Sequence, residues 1–437
     1  MSHKPSELNR REFLANTARS CLGVTLGGSM AQLFTSNVIA ASPDSISTGG
    51  GKAKNVIYLY MAGGMTHLDT FDPKPQSSAE INGGKTALNT KADGIQLSEY
   101  LPNLSRHADK LAIIRSMNTT QGAHGPGKYF MRTGYTQRSS ITHPTAGGWA
   151  NKLSSPINKT LPGYITISCS NDHPGAGFME PNLHPLPIGD PNSGLQNSKI
   201  AKGVTEEEFR QQLDLRQQLD HDFDTKFSQG HKDVRAYTEM YNSAVKLMRS
   251  EDLEAFDLSK ESPTAHKLYG SHQFAKGCLL ARRLVEKGVR FVEVELGGFD
   301  WHDDNFGQAD VKLPILDQAF AALIEDLTVK GLLDSTLIVL ATEFGRTPTI
   351  TKQAGRNHFP KAFSCVMAGG GVKGGYIHGE TDETGSNVIK DKVSAPDFNA
   401  SIGHALGISY DEVLYSASKR PFNMASRTGK PIMGLFT

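Results

Sequence analysis

Residues 55–61 (NVIYLYM) and 336–342 (TLIVLAT) are almost entirely apolar, with no alternation of polar and apolar positions. A strand wetted on one side alternates, so an uninterrupted run of this length reads as a strand buried on both faces of a parallel sheet. Ligands of such sheets gather where the strands end, because loops there converge without disturbing the core. Four more strands fit the same reading, at 111–116, 163–168, 289–296 and 363–368, and helices are expected over 97–107, 268–287 and 311–330. A charged stretch, about 205–260, reads as a helical excursion. Thr205 and Glu208 form a capping box there, and Phe209, Leu213, Leu215 and Leu219 form an apolar stripe. The fold class is α/β, with residues 55–437 as one large domain whose many loops are supplied by 44 glycines and 21 prolines.

The first forty residues read as an export signal. Asn9-Arg10-Arg11-Glu12-Phe13-Leu14 carries paired arginines followed by Phe-Leu, then a weakly apolar stretch, then Val38-Ile39-Ala40 as a small-residue cleavage site. Residues 1–40 are therefore expected to be a twin-arginine signal peptide, handed to the twin-arginine export machinery, and 41–54 a flexible linker. The apolar run 21–34 is too short and Gly-rich to cross a hydrocarbon core of about 30 Å. No stable membrane span is expected after cleavage, and the mature chain is expected to be periplasmic or secreted. With 46 basic and 45 acidic residues, the charge gives no reason to expect nucleic acid as a partner. Cys169, Cys278 and Cys365 follow the signal. No pair has metal-ligand spacing, an odd number leaves at least one free thiol, and a single disulfide stays open.

Ionisable side chains crowd the expected strand ends. After 55–61 come two glycines and then His67, Asp69 and Asp72; Asp69 is placed to join a metal, while Asp72 reads as a turn residue before Pro73. After 289–296 come Asp300, His302, Asp303 and Asp304, a density of like charge that a cation would offset. After 336–342 come Glu343 and Arg346, and the same loop returns with His358 and Lys361. Glu343 and His358 suit a divalent metal, or else Glu343 pairs with Arg346 and His358 packs. The Gly-Pro step after His124 starts a helix, so His124 sits at a helix N-terminus as nucleophile, acid/base group or metal ligand, and Lys128 is placed to neutralise an anion.

Five motifs carry a resemblance: GGMTHLDTFDPKP, HGPGKYFMRTG, GGFDWHDDN, TEFGRTP and GRNHFP. Together with the twin-arginine signal they resemble a secreted bacterial family designated domain of unknown function fifteen-hundred-and-one, over essentially the whole mature chain. That family is similar to the alkaline phosphatase and sulfatase superfamily, which implies a doubly wound α/β/α sandwich with a metal site at the strand ends. LIVLATEFG resembles the sulfatase strand ending in Asp-His-Gly, with Glu343 at the metal-binding Asp and Phe344 at the His. His358 and Lys361 resemble a substrate-contacting His and Lys. HGPGKYFMRTG resembles the signature Cys-x-Pro-x-Arg with its later Thr-Gly; Pro126, Thr133 and Gly134 match, Lys128 replaces Arg, and His124 falls on the nucleophile.

The resemblance implies a metal-dependent hydrolase of phosphate or sulfate esters, with a small-molecule or polysaccharide anionic ester as ligand. Asp69, Asp300, His302, Glu343 and His358 would hold one or two divalent ions (zinc, calcium or manganese). His124 and Lys128 would be catalytic, and Lys361 and Arg346 would bind the anion. No cysteine has the context that sulfatases oxidise to formylglycine, and Thr119 or Thr120 are the hydroxyls nearest in sequence to a phosphatase nucleophile. The competing expectation is a non-catalytic binding protein on the same scaffold.

Overall fold

The computed structural model describes residues 51–196, 198–227 and 232–436, with backbone alone within 219–238. The expected signal peptide and most of the linker lie outside the described residues. Eight strands form the central sheet: β1 Asn55–Ala62, β2 Leu111–Met117, β3 Tyr164–Ile167, β4 Leu186–Ile188, β5 Phe291–Gly297, β6 Thr336–Ala341, β7 Phe363–Ala368 and β8 Tyr376–His378. Their order is β8-β2-β7-β6-β1-β5-β3-β4. Only β7 runs antiparallel to its neighbours. The longer helices are α1 His124–Thr133, α2 Ala146–Leu153, α3 Glu206–Phe227, α4 Lys232–Met248, α5 Gln273–Glu286, α6 Asn305–Val329 and α7 Ala395–Ala405.

The pleat explains why β1 has no polar alternation. Successive side chains point to opposite faces: Ile57, Leu59 and Met61 share a core with Leu280 of α5 and Phe320 of α6, whereas Val56, Tyr58 and Tyr60 share another with Trp149 of α2 and Phe398 of α7. Both faces are covered, and the chain is a mixed α/β/α sandwich. No helix among the described residues is long and apolar enough to cross a membrane. Cys169, Cys278 and Cys365 are all free, so the open disulfide does not form.

Several expected elements shift, each for a local reason. Residues 97–107 are not one helix: Pro102 disfavours helical backbone at Leu101, and only Pro102–Ser105 is helical, with Asp317 of α6 accepting the Asn103 and Leu104 N–H groups at 2.9 and 2.8 Å. The helix expected over 268–287 is broken at Gly270, whose φ of 97° is left-handed, and α5 restarts after His272, whose ring accepts from Phe274 N–H. α6 begins six residues before the expected 311 because Asp304 caps it, accepting from Gly307 N–H. The Thr205–Glu208 capping box forms in both directions. Leu215, expected in the apolar stripe, is 58% exposed.

One buried side chain of β5 links pH to stability. Glu293 is fully buried and accepts from Arg132 Nε at 2.8 Å and His173 Nε2 at 2.9 Å. Burial alone would raise its pKa; the Arg132 guanidinium and His173 outweigh it and hold the carboxyl at about 2. Because the folded value lies below the ordinary 4.5, the carboxylate stabilises the fold above that pH, and the contribution is lost as pH falls towards 2. Glu293→Gln is expected to cost about 3–5 kcal/mol at neutral pH, since it leaves Arg132 buried and short of a partner. Urea unfolding across that acid range should also show a shallower loss of stability in the variant than in the parent.

Candidate metal centre

β5, β1 and β6 are adjacent and parallel, with Ala62 opposite Gly297 and Tyr60 opposite Ala341. The loops that follow them therefore leave the sheet side by side. α1 meets this rim with His124 as its first residue. The helix can approach closely because its next turn carries Gly127, where a Cβ would stand 3.1 Å from Glu343 Cβ and 3.2 Å from the Phe344 ring.

Three imidazoles and one carboxylate converge here. Asp300 Oδ1 lies 2.9 Å from His302 Nε2 and 3.1 Å from His358 Nε2, and its Oδ2 lies 3.2 Å from His124 Nε2. His302 Nε2 and His358 Nε2 are themselves 3.1 Å apart. Each ring is held through its other nitrogen: His124 Nδ1 by Glu343 Oε1 at 2.8 Å, His302 Nδ1 by Asn357 Oδ1 at 3.1 Å, and His358 Nδ1 by the Gly122 carbonyl at 2.9 Å. Metal-binding histidines are oriented in this way, with the remote N–H given to a carboxylate, carbonyl or amide and Nε2 turned to the ion. His124 Nε2 is shielded from solvent and makes no hydrogen bond, despite the nearby carboxylate. Nitrogen and oxygen donors with one such orphan fit a divalent metal, and the His124, Asp300 and His358 donors lie within 4.8 Å of one another.

The electrostatics follow from the contacts. The Glu343 hydrogen bond raises the His124 pKa against the effect of burial. Burial pushes Glu343 up, but His124 and the Gly63 N–H, which donates at 2.8 Å, hold it below the usual carboxylate value. Burial acts on Asp300 in the same sense, and the Arg346 guanidinium overrides it, holding Asp300 well below the ordinary range.

The remaining expected site residues fall into different places. Asp69 is 2% exposed and is occupied by Arg356 Nε at 3.1 Å and Asn305 Nδ2 at 3.0 Å, so it does not join the converging donors. Glu343 is fully buried and faces the centre only through His124. Arg346 is 1% exposed, and its donors go to the Gly63, Gly64 and Arg356 carbonyls and to Asp300. With so few donors left it is not available to bind an anion; it anchors Asp300. Lys128 lies one turn along α1 from His124, and neither it nor Lys361 is in an ion pair among the described residues. Asp72 is buried against Arg115, Lys74 and Thr381, and Asp304 caps α6.

Gly122 and Asn357 are supports that the sequence reading missed. Phe344 stands where the resemblance puts a His, and its buried ring packs on His124 and His358, with centroids 5.1 and 4.7 Å away. In the sequence, only the adjacency of Asn357 to His358 hinted at either Gly122 or Asn357. Beside the centre is an open cleft of about 470 Å³, lined by Thr349, Asn357, Phe359, Lys361 and Asn387 among others.

Known structures give distant likenesses. The PsFucS1 sulfatase from Pseudoalteromonas sp. is 13% identical, with 93% of this chain and 73% of that one covered and a TM-score of 0.36. A protein in the alkaline phosphatase superfamily from Vibrio parahaemolyticus is 10% identical, covering 93% and 76% at 0.33. The lipoteichoic acid synthase LtaP from Listeria monocytogenes is 11% identical, covering 86% and 77% at 0.34. Scores this low carry no argument about what the chain acts on. No curated protein matches. The sequence itself is decisive: the family model described as "Protein of unknown function (DUF1501)" matches residues 53–436, and the chain belongs to that family.

Proposed function

We propose that the protein is an exported metal-dependent hydrolase of anionic phosphate or sulfate esters. The observation that carries this reading is that His124, His302 and His358 each have Nδ1 committed to an outside partner and Nε2 facing Asp300. Three imidazoles and a carboxylate match zinc best among common divalent ions. A divalent ion held by these four residues would supply Lewis acidity, favouring deprotonation of water and offsetting charge on an ester oxygen. The chain's own groups do the rest. Glu343 fixes the His124 ring with its Nδ1 proton inward, and Arg346 holds Asp300 ionised and in place. Lys128 and Lys361, free of ion pairs among the described residues, are the ammonium groups that can meet the ester anion. The neighbouring cleft leaves room for the rest of the substrate.

No Ser, Thr or Cys side chain among the described residues hydrogen-bonds to the four converging groups, so the nucleophile in this reading is water. Thr119 accepts instead from Gln121 N–H, and Thr120 is exposed. The same observation gives a second reading its support: a protein that binds an anionic ligand and turns nothing over.

Two outcomes are expected. In metal titrations followed by calorimetry, Asp300→Asn, His302→Ala and His358→Ala should each abolish tight zinc binding. Glu343→Gln, which removes an outer support rather than a donor, should weaken it by about 10- to 100-fold. In turnover assays on 4-nitrophenyl phosphate and 4-nitrophenyl sulfate, the zinc-loaded protein should hydrolyse at least one, chelation should stop it, and Lys128→Ala should act mainly on KM. Stoichiometric zinc with no turnover of a wide ester panel would favour the binding protein.

A further inference from the structure

The residues that converge on Asp300 come from two elements that also meet at a second polar point. α1 carries His124 at its start and Arg132 in its last turn; β5 carries Glu293 and Glu295 and runs into the loop that holds Asp300 and His302. Arg132 is 2% exposed. Its Nε donates to Glu293 Oε1 at 2.8 Å and its Nη2 to Glu295 Oε2 at 2.7 Å. The guanidinium lies 3.8 Å over the ring of Tyr60, which pairs with Glu295 across β1 and β5. One planar group is thus gripped on two edges and one face. Cys169 stands with the same two glutamates, but both carboxylates are already engaged by Arg132, and Glu293 by His173 as well, so these oxygens are occupied by protein partners.

Stability alone does not explain such a cluster. Buried ion groups can often be replaced by apolar side chains of similar volume without loss of stability. What apolar packing lacks is direction: a helix resting on a sheet through Leu and Met contacts can shift or turn slightly at little cost, whereas a two-edged guanidinium contact fixes both translation and rotation. His124 lies about 12 Å along α1 from Arg132, at 1.5 Å per residue, so a small rotation at one end moves the imidazole at the other. Ligand groups must hold their geometry to roughly 0.5 Å. We infer that Arg132 is a positioning residue for the metal centre: by locking α1 to β5 through Glu293 and Glu295, it sets where His124 Nε2 stands relative to Asp300. The inference rests on the metal centre proposed above.

The test uses the mature full-length protein and three variants. Arg132→Lys keeps the charge and loses the two-edged grip. The triple variant Arg132→Met, Glu293→Gln, Glu295→Gln removes all charge together, and it stands in if the lysine variant does not fold. Leu323→Ala, a fully buried site in α6, controls for lost stability. Zinc affinity, the visible spectrum of the cobalt-substituted protein and the histidine side-chain ¹H–¹⁵N spectrum are measured on each. Arg132→Lys, or the triple variant, should weaken zinc by about tenfold or more, change the cobalt spectrum and shift the His124 resonances, while Leu323→Ala changes none of these. Unchanged affinity and unchanged His124 resonances in a folded Arg132 variant would overturn the inference. If the parent binds no zinc, the metal reading fails, and the His124 resonances alone then decide whether Arg132 places that ring.

Discussion

The hydrogen bond between His124 Nδ1 and Glu343 Oε1 is the contact on which the rest of the rim depends. Glu343 lies two residues past the end of β6, a strand buried on both faces, and has no exposure of its own. A carboxylate there is costly unless donors meet it, and at Oε1 it has two, the His124 ring and the Gly63 N–H. The contact joins α1 to β6 and fixes the edge of the imidazole that carries the inward proton. Once that is settled, Nε2 has only one way to face. The same bond thus explains why a buried acid is tolerated and why the histidine is oriented.

Two arginines divide the nearby aspartates between structure and solvent-facing chemistry. Arg356 is fully buried and closes on Asp69, which has 2% exposure and a further donor in Asn305. Arg346 is equally buried, but the carboxylate it meets, Asp300, keeps 44% of its side chain exposed. An aspartate enclosed by an arginine and an amide has no free direction left for a ligand. An aspartate pinned from behind has one, and the imidazoles stand on that side.

The sheet was legible in the sequence because an unbroken apolar run of strand length, bounded by glycines and polar loops, suits little but a strand covered on both faces. The clustering of His, Asp and Glu after those runs marked the rim. What could not be read was which groups would be used up by partners far along the chain. Asp69 and Asp300 look alike in sequence; the difference lies in Arg356 and Arg346, which reach them from distant positions of the chain. The helix expected over 97–107 failed on a local rule, the effect of Pro102 on Leu101, reinforced by Asp317 from another element. His124 was left among three roles because a sequence does not show that both ring nitrogens would face carboxylates. Arg132 drew no attention, since a lone arginine in an amphipathic helix usually faces water.

Charge decides what kind of ligand the proposed centre would accept. Asp300 and Glu343 are both held ionised and Arg346 offsets one of them, leaving one negative charge before any ion is bound. A divalent cation would reverse that to one positive charge, and Lys128 and Lys361, neither of them in an ion pair among the described residues, would add to it, although Lys128 also acts on the Asp172 carboxylate. At the rim of a low-dielectric core, an uncompensated positive field favours an anion strongly over a neutral ester. The cleft agrees with this sign: no acidic residue lines it, and its hydroxyl and amide groups would hydrogen-bond a polar substituent while Lys361 met the charge. A neutral ligand would leave those ammonium groups and the cation unmatched, so under the proposed reading the electrostatics favour an anionic ligand before any detail of its leaving group is considered.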